Sequence, residues 1–438
     1  MSESRRTVVV GGGVVGACCA YYLAKAGRSV TLIDASGFGS GCSHGNCGYV
    51  CPSHVLPLAV PGSLRTILKV MARRGSPIRL SPGVLLRDPG WFLAFARRCN
   101  EAHMLDAAVA IAGLLRSSRS LFEELIRDER IECGWETKGL LFVFRSPGAM
   151  EHHAEVDRLL RERFDTPARR LDGAALVDLE PALRPGLAGA WLYENDAHLR
   201  PDRLMAEMRR VLTGLGVEIH EHRPMTELVR AGGRAVAVRT AAGDLPADDV
   251  VVALGAWTPT LARTLGCRLP IQPGKGYSVT YGRVEGSPDL PMIFEEDRVA
   301  VTPFRSGFRI GSMMEFAGRD TSINRKRLGT LAATSGRYLR TRVTGDPDEE
   351  WFGWRPMTPD GVPIIGPTPA LPNVFVAAGH NMLGLSMAPA TGRLVAEIVT
   401  GSRAHLDASP YSAARFRSRG ANLEAVGPTP GPAQALGR

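Results

Sequence analysis

The 438-residue sequence lacks the features of several special protein classes. No stretch approaches the roughly 18 uninterrupted apolar residues of a membrane span, and we expect no signal peptide ahead of the first predicted strand. The eight cysteines include no CxxC pair, which argues against a disulfide framework and against a zinc or iron–sulfur site. We therefore expect no metal, and a protein that is cytoplasmic or peripheral on the cytoplasmic membrane face.

The positive charge also lacks the density that nucleic acid requires. The net charge is +9, but the arginines are dispersed and no nucleic-acid-binding module is recognisable, so we expect no nucleic-acid partner. Residues 64–105 differ from the rest, because apolar clusters stand next to Arg73, Arg74, Arg97 and Arg98. This segment either packs as ordinary helices or makes a peripheral contact with an anionic membrane.

What the sequence does contain begins at residue 7. Four β-favouring residues are followed by glycines at GxGxxG spacing, namely Gly11, Gly13 and Gly16. A small-residue helix is predicted over 17–26, and a second strand over 29–33 ends in Asp34, 18 residues beyond Gly16. This order of strand, glycine turn, helix, strand and acid predicts a dinucleotide site with a pyrophosphate at the helix N-terminus.

The rest of the chain alternates strands and helices. Strands are predicted over 139–145, 217–220, 235–240, 249–256, 274–281, 300–312 and 374–378, and helices over 149–164, 203–215, 324–339 and 388–400. Segments 274–281 and 300–312 alternate as strands of a separate antiparallel sheet do. The fold class is therefore α/β, with a Rossmann-like cofactor domain and an α+β substrate domain.

Taken together, these motifs resemble the FAD-dependent D-amino-acid dehydrogenase family, whose amine and amino-acid oxidoreductases include glycine oxidase and sarcosine oxidase. The resemblance runs to about residue 406. Its motifs are the glycine fingerprint, residues 41–49 (GCSHGNCGY), the strand at 251–257, GKGYS at 274–278, RPMTPDG at 355–361 and GHNMLG at 379–384. Cys42, Cys47 and Cys51 are expected to pack as small residues beside the cofactor.

The resemblance implies a cofactor domain built from noncontiguous segments. It assigns residues 1–90, 190–265 and 350–410 to the FAD-binding domain, and residues 91–189 and 266–349 to the substrate domain. The Pro/Gly/Ala-rich residues 420–438 are expected to form a disordered tail.

The same resemblance implies the FAD-binding residues. Gly11, Gly13, Val14, Val15 and Gly16 would hold the pyrophosphate, and Asp34 with Ala35 the adenosine ribose. The residues expected around the ribityl chain and the flavin ring are Ser43, His44, Asn46, Gly48, Gly255, Ala256, Gly379, His380, Met382, Leu383, Gly384 and Leu385. The positive end of the helix after Gly384 would stabilise negative charge on the reduced flavin.

Three residues are candidates for catalysis. Arg355 would grip the substrate carboxylate in a bidentate manner, the alternative being a structural salt bridge. Tyr277 would assist it, unless it is only a packed strand tyrosine. His44 would lie at the flavin, unless it is only a packed loop histidine.

The predicted reaction is FAD-dependent oxidation of a small D-amino or imino acid, such as a D-amino acid, D-proline or 4-hydroxy-D-proline. Hydride would pass from Cα to flavin N5, and a quinone or an electron-transfer protein would accept the electrons. The alternatives are a glycine- or sarcosine-type oxidase, a 2-hydroxy acid dehydrogenase, and a flavin-binding subunit that depends on a partner.

Overall fold

The computed structural model describes residues 4–71, 76–341 and 345–416. Arg73, Arg74 and the predicted tail at 420–438 lie outside these residues. Among the described residues, no helix is long and apolar enough to cross a lipid bilayer.

The described chain alternates strands and helices throughout. The strands are β1 (Arg6–Val10), β2 (Ser29–Ile33), β3 (Tyr49–Val50), β4 (Ile78–Leu80), β5 (Leu140–Phe144), β6 (Arg169–Asp172), β7 (Gly189–Tyr193), β8 (Ala197–His198), β9 (Glu218–His220), β10 (Met225–Ala231), β11 (Arg234–Thr240), β12 (Gly243–Pro246), β13 (Asp249–Val252), β14 (Gln272–Gly282), β15 (Met292–Phe294), β16 (Val299–Phe304), β17 (Gly307–Phe316), β18 (Glu349–Met357), β19 (Ile364–Pro367) and β20 (Val374–Ala378). The helices are α1 (Val14–Lys25), α2 (Ser63–Met71), α3 (Pro82–Arg87), α4 (Pro89–Arg98), α5 (Glu101–Asp128), α6 (Pro147–Phe164), α7 (Gly173–Leu179), α8 (Pro201–Gly214), α9 (Ala262–Leu265), α10 (Arg325–Ser335) and α11 (Gly384–Thr400), and 3₁₀ turns cover Gly255–Leu261, Ser409–Tyr411 and Ala413–Phe416.

A six-stranded sheet has the order β19-β20-β13-β1-β2-β9. All its pairings are parallel except that of β19 with β20. Its strands come from distant parts of the chain, as a Rossmann-like domain of noncontiguous segments requires. The α/β fold class is confirmed.

Each face of this sheet is covered by a different layer. The buried side chains of Val9, Leu32 and Val251 pack with α1, α5 and α11, and those of Val8 and Val250 pack with the three-stranded β10-β11-β12 meander. Burial on both faces explains why these strands are continuous apolar runs.

A nine-stranded sheet forms the other core. Its order is β18-β14-β17-β16-β15-β5-β7-β6, and β4 pairs with β17. The pairings are antiparallel except those of β15 with β5 and β17 with β4. The antiparallel sheet expected of the substrate domain is therefore present, and α10 packs on it.

The predicted domain bounds and the two sheets differ in four places. Strand β4 lies within the predicted FAD-binding domain, yet it pairs with β17 of the nine-stranded sheet. The bounds at 189–190 and 349–350 cut through β7 and β18, which both belong to the nine-stranded sheet. Helix α5 lies within the predicted substrate domain, yet it packs on α11 of the six-stranded sheet. The Ala390 amide donates to Ser118 Oγ of α5 at 3.0 Å. The domain assignment itself stays a prediction.

Some helices and strands begin or end at residues other than those predicted from the sequence. The predicted helix 324–339 is shorter, because α10 ends at Ser335, and Asn324 caps its N-terminus by accepting from the Arg327 amide. The predicted helix 388–400 begins earlier, at Gly384, and Pro389 lies inside it. The predicted strand 300–312 is two strands, β16 and β17, joined by a tight turn.

Candidate functional site

The glycine fingerprint forms the turn between β1 and α1. Gly11 has φ +114°, and a Cβ there would lie 2.4 Å from the Ala253 carbonyl oxygen. A Cβ on Gly16 would lie 1.9 Å from the Gly11 carbonyl oxygen. Only glycine allows these approaches, so Gly11 and Gly16 occupy positions of a Rossmann turn at which any other residue would clash with the backbone. Val14 and Val15 are the first two residues of α1.

The backbone amides of this turn are directed at oxygen atoms. The Gly12 amide donates to Asp34 Oδ2 at 2.6 Å, and the Val14 amide donates to Ser43 Oγ at 2.8 Å. Burial raises the pKa of Asp34, and the hydrogen bonds from the Gly12 and Ser36 amides oppose that rise. Ala35 follows directly. The N-terminus of α1 thus lies beside Asp34 and Ser43, and the positive end of the helix dipole there suits an anion.

The loop after Ser43 is held by its own polar groups. Asn46 Nδ2 donates to the Cys42 carbonyl at 3.1 Å, and Asn46 Oδ1 accepts from the Gly48 amide at 2.8 Å. Gly48 has φ +71°, and a Cβ there would lie 1.9 Å from the Leu199 carbonyl oxygen. The predicted residues Ser43, Asn46 and Gly48 are therefore close together in one braced loop.

A buried arginine, which the sequence analysis missed, anchors this loop. Arg309 of β17 is 0% exposed, and its Nη1 donates to the carbonyls of His44 at 3.2 Å and Asn46 at 2.9 Å. Its Nε donates to Thr280 Oγ1 at 2.9 Å, and its Nη2 pairs with Glu349 Oε2 at 3.0 Å. A charged residue between apolar neighbours in a strand is the signal that could have found it.

His44 belongs to the same network. Its Nε2 lies 2.5 Å from Glu349 Oε1, and this hydrogen bond raises the pKa of His44 and lowers that of Glu349. His44 is therefore more than a packed loop histidine, since it links the loop to the edge strand β18. A catalytic role for it stays a prediction.

Arg355 lies on the face of the nine-stranded sheet that is turned toward this loop. A Cβ on Gly276 would lie 2.1 Å from Arg355 Nη1, so the guanidinium is stacked on a bare backbone. Arg355 Nη1 donates to the Met313 carbonyl at 2.6 Å. Met313 has φ +74°, and it lies in a bulge where two residues of β17 face Gly276 alone.

The charge of Arg355 is not matched by an acid. Burial lowers its pKa, and the groups that oppose this shift are the thiols of Cys47 and Cys42. No carboxylate lies within salt-bridge distance of it in the parts of the chain that the structure describes. Arg355 is partly buried and its one side-chain hydrogen bond among the described residues goes to a backbone carbonyl, so a structural salt bridge does not account for it.

The structure does not bring Tyr277 together with Arg355. Neighbouring residues of a strand point to opposite faces, and Arg355 stacks on Gly276. Tyr277 instead enters the core under the sheet, where its hydroxyl donates to Glu315 Oε2 at 2.9 Å. This position does not support the prediction that Tyr277 assists substrate binding, and we do not include Tyr277 in the proposed site.

Three turns meet at one edge of the six-stranded sheet. Gly11, Gly255 and Gly379 follow the carboxyl ends of the parallel strands β1, β13 and β20, and this edge is where open α/β sheets bind ligands. All three glycines have positive φ. Ala256, also predicted at the cofactor, is buried beside Gly255.

The last of these turns leads into α11. The His380 imidazole is buried, which lowers its pKa to about 3, and its Nε2 lies 3.0 Å from Thr391 Oγ1. His380 is therefore neutral. Asn381, with φ +53°, accepts from the Thr358 amide at 2.9 Å and so ties this turn to the segment after Arg355.

The remaining predicted residues of this turn lead into the helix. Leu383 caps α11, Gly384 and Leu385 begin it, and no acidic residue lies in its first turn. Its positive end is thus available to an anionic group. Met382 stands apart, because its side chain is 47% exposed.

One group of possible metal ligands lies nearby, made of Cys51, His54 and Asp196, with ligand atoms within 4.8 Å of one another. Asp196 already accepts from the hydroxyl of Ser53 at 2.5 Å and from its amide at 3.1 Å. Burial raises the pKa of the Cys51 thiol well above its usual value and that of Asp196 to about 7, and lowers that of His54 to about 4. Because a zinc ligand cysteine is a thiolate, this group favours no metal, and the absence of a metal stays a prediction.

The residues present fit FAD. The anion-binding end of α1 with Asp34 suits a pyrophosphate and a ribose, the glycines keep the sheet edge free of side chains, and the positive end of α11 suits an electron-rich ring.

Comparison with known proteins agrees with this fit. The model of the DAO family, described as FAD dependent oxidoreductase, matches residues 6–398. A D-amino acid dehydrogenase of Methylobacterium nodulans is 34% identical over 426 residues, covering 94% of this chain and 99% of the relative. A D-amino acid dehydrogenase of Methylobacterium radiotolerans is 34% identical over 420 residues, covering 93% of this chain and 99% of the relative.

Solved structures share the fold. Glycine oxidase from Geobacillus kaustophilus superposes with a TM-score of 0.76 at 22% identity, covering 95% of this chain and 100% of that one. L-proline dehydrogenase from P. horikoshii superposes with a TM-score of 0.73 at 20% identity, covering 95% and 98%. At these identities the likeness concerns the fold alone.

Proposed function

Because this chain belongs to the FAD-dependent oxidoreductase family and uses FAD, we propose that it is a dehydrogenase of small D-amino or D-imino acids. The observation that carries the proposal is Arg355, a partly buried guanidinium with no carboxylate partner among the described residues. Its position on the sheet face toward the loop of Ser43 and His44 supports a role in holding a substrate carboxylate against the cofactor. The names of the 34%-identical relatives support the D-amino acid class.

The roles of the residues follow from their contacts. The glycine turn and the N-terminus of α1 would hold the pyrophosphate and Asp34 the ribose, and the N-terminus of α11 would face the flavin. Bound FAD supplies a two-electron acceptor for hydride from the substrate Cα. Arg355 would fix the carboxylate through two parallel hydrogen bonds and so orient Cα. A substrate with a primary amine would be oxidised to an imino acid, which water hydrolyses to a 2-oxo acid and ammonia. Oxidation of a cyclic substrate such as D-proline or 4-hydroxy-D-proline would stop at the cyclic imine.

We further propose that a quinone or an electron-transfer protein, rather than dioxygen, accepts the electrons. Anaerobic flavin bleaching by stopped flow tests substrate and acceptor together. D-alanine, D-proline and cis-4-hydroxy-D-proline are mixed with the enzyme, as are their L forms, glycine, sarcosine and a 2-hydroxy acid. We expect rapid bleaching by a D form and slow reoxidation by air. Bleaching by glycine or sarcosine with fast reoxidation would establish an oxidase instead, and bleaching by the 2-hydroxy acid alone would establish the hydroxy acid alternative.

Arg355→Lys tests the carboxylate assignment. Leaving one partner of a charged, hydrogen-bonded pair unmatched costs about 2–5 kcal/mol, so kcat/KM should fall by roughly 30-fold or more while FAD content stays unchanged. Arg239→Lys is the matched control, because Arg239 makes exposed ion pairs in the β10-β11-β12 meander. Unchanged kinetics of Arg355→Lys on a carboxylate substrate would contradict the assignment.

A further inference from the structure

The segment 49–54 lies between the cofactor helix α11 and the nine-stranded sheet. Ser386 Oγ, in the first turn of α11, donates to the Tyr49 carbonyl at 2.8 Å. On its other side, Tyr49 Oη lies 2.9 Å from the carbonyl oxygens of Met292 in β15 and Val301 in β16. The segment is therefore fixed between the helix end assigned to the flavin and the sheet of the proposed substrate site.

His54, at the end of this segment, packs on the face of the nine-stranded sheet that Arg355 occupies. Its ring centroid lies 5.4 Å from that of Phe142 in β5. The strand neighbours of Phe142, Leu141 and Val143, belong to the core under the sheet, so Phe142 points to the opposite face. Arg355 also lies on the face opposite this core, and the two side chains therefore share one side of the sheet.

His54 and Arg355 both line an enclosed space. Each side chain is partly exposed, yet burial lowers the pKa of Arg355, and that of His54 to about 4. Partial exposure combined with loss of hydration indicates a side chain that faces a cavity within the protein. Two strands, β16 and β15, separate β17, whose Met313 carbonyl binds Arg355, from β5. At about 4.8 Å per strand the two ends of the cavity are roughly 14 Å apart at the backbone, so a substrate whose carboxylate is at Arg355 presents its side chain, and not its α-amino group, to His54.

The hydrogen bonds behind His54 decide which of its ring nitrogens is free. With Asp196 ionised, the Ser53 hydroxyl gives its one proton to Asp196 Oδ2, at 2.5 Å. The Ser53 oxygen then accepts from His54 Nδ1, which lies 3.3 Å away, so the neutral imidazole keeps its proton on Nδ1. His54 Nε2 is left as a hydrogen-bond acceptor, and no residue in the described ranges donates to it.

The charged groups at this end of the cavity satisfy each other. Phe294 and Val299 belong to the core under the sheet, which places the adjacent Glu295 and Arg298 on the face of His54. The charge of Arg298 lowers the pKa of His54 further, and Arg298 Nη1 lies 2.5 Å from Glu295 Oε1. Because each charge already has its partner, a charged substrate side chain meets no unpaired group here, whereas Nε2 is open to a neutral donor.

We propose that His54 Nε2 accepts a hydrogen bond from the side chain of the substrate, and that the enzyme therefore prefers D-amino or D-imino acids with an uncharged hydroxyl or amide. The inference rests on the proposed function and narrows its substrate class. A donor group in the substrate satisfies an acceptor that the protein leaves open, whereas an apolar group of the same size buries that acceptor without a partner.

Isosteric substrates test the preference in the holoenzyme. D-asparagine is compared with D-leucine, and cis-4-hydroxy-D-proline with D-proline, in a dye-coupled assay. In the pair with the higher kcat/KM, we expect the polar member to be favoured by at least about tenfold, chiefly through KM. His54→Leu should reduce this preference to within about twofold, and His54→Gln should retain part of it because it keeps an acceptor. The control His152→Leu alters an exposed residue of α6 and should leave the preference unchanged. A wild type that favours the apolar member, or a preference that persists in His54→Leu, would overturn the proposal.

Ligands that cannot be oxidised separate this inference from the proposed function. Succinamate and 4-methylpentanoate are the desamino forms of asparagine and leucine, and their dissociation constants are measured from the change that each causes in the flavin spectrum. We expect succinamate to bind about tenfold more tightly than 4-methylpentanoate in the wild type and equally in His54→Leu. Equal binding by the wild type would contradict the inference even if D-amino acids reduce the flavin. Failure of every D-amino and D-imino acid to reduce the flavin would instead refute the proposed function, and the binding result would still decide the role of His54.

Discussion

Replacing Gly276 by alanine tests the Arg355 site without changing a charged group. The added Cβ would lie 2.1 Å from Nη1, 2.4 Å from Cζ and 2.5 Å from Nη2 of Arg355. Non-bonded heavy atoms are at their best separation at about 3.5–4.0 Å, so the guanidinium has to move by more than about 1 Å. That movement would also break the 2.6 Å hydrogen bond from Nη1 to the Met313 carbonyl.

The expected effect is on substrate capture and not on the cofactor. Misplacement of a binding group by about 1 Å can lower the rate about 100-fold, so we expect kcat/KM to fall by roughly that factor in a dye-coupled assay with the best D substrate. FAD content, measured from the visible spectrum, should equal that of the wild type, because the three atoms nearest to the added Cβ all belong to Arg355.

Gly329→Ala is the matched control. Gly329 is exposed in α10, and an added Cβ would meet nothing within 4 Å, so the change should stabilise the helix slightly, by up to about 1 kcal/mol, and leave kcat/KM unchanged. If Gly276→Ala keeps kcat/KM within about threefold of the wild type, the position of the guanidinium does not control substrate binding. The reasoning about Arg355 would then be refuted.

Three further variants probe the neighbouring contacts. Arg309→Met should lower the free energy of unfolding in urea by on the order of 3 kcal/mol and weaken FAD binding, because it removes the donor to the His44 and Asn46 carbonyls and one of the donors to Glu349. Unchanged FAD occupancy would contradict this. His44→Asn should lower the thermal midpoint most at pH values between about 4.5 and 6.5. The pKa of His44 is raised in the folded state, so its contribution to stability is complete below pH 6.5 and is lost at higher pH, whereas the pKa of Glu349 is lowered, so its contribution to stability is complete above pH 4.5. A difference between variant and wild type that grows toward pH 9 would be inconsistent with this ion pair. Tyr277→Phe should keep kcat/KM within about threefold and lower stability by about 1 kcal/mol, since buried Glu315 loses a donor, whereas a large loss of kcat/KM would return Tyr277 to the substrate site.

The strongest sequence predictions concern features with short-range causes. The glycine turn, the strand before it and the acid after it lie within 28 residues, from Thr7 to Asp34, and the geometry of one βαβ unit imposes their spacing. The turn at 379–384 and the strand before it are recognisable for the same reason. Such patterns also predicted the α/β class and the family, which the structure and the relatives confirm.

Partners across the nine-stranded sheet could not be read from the sequence. That Arg355 faces the loop of Ser43 while Tyr277 faces the core depends on the register of β14 with β18, in which Arg355 pairs with Gly274. A shift of one residue would exchange the two faces. The bulge at Met313 likewise exists only through the pairing of β14 with β17.

The sequence by itself determined the cofactor class, because the order and spacing of the fingerprint are imposed by the geometry of one βαβ unit, in which a Cβ on Gly16 would strike the Gly11 carbonyl of the same turn. Only the tertiary structure decided which side chains share the site. Arg309 binds the carbonyls of residues 44 and 46 from a strand more than 260 positions later in the chain. Helix α5 lies in the layer that covers the six-stranded sheet because it packs on α11. Such long-range contacts depend on the packing of whole layers, and no local pattern of residues specifies them.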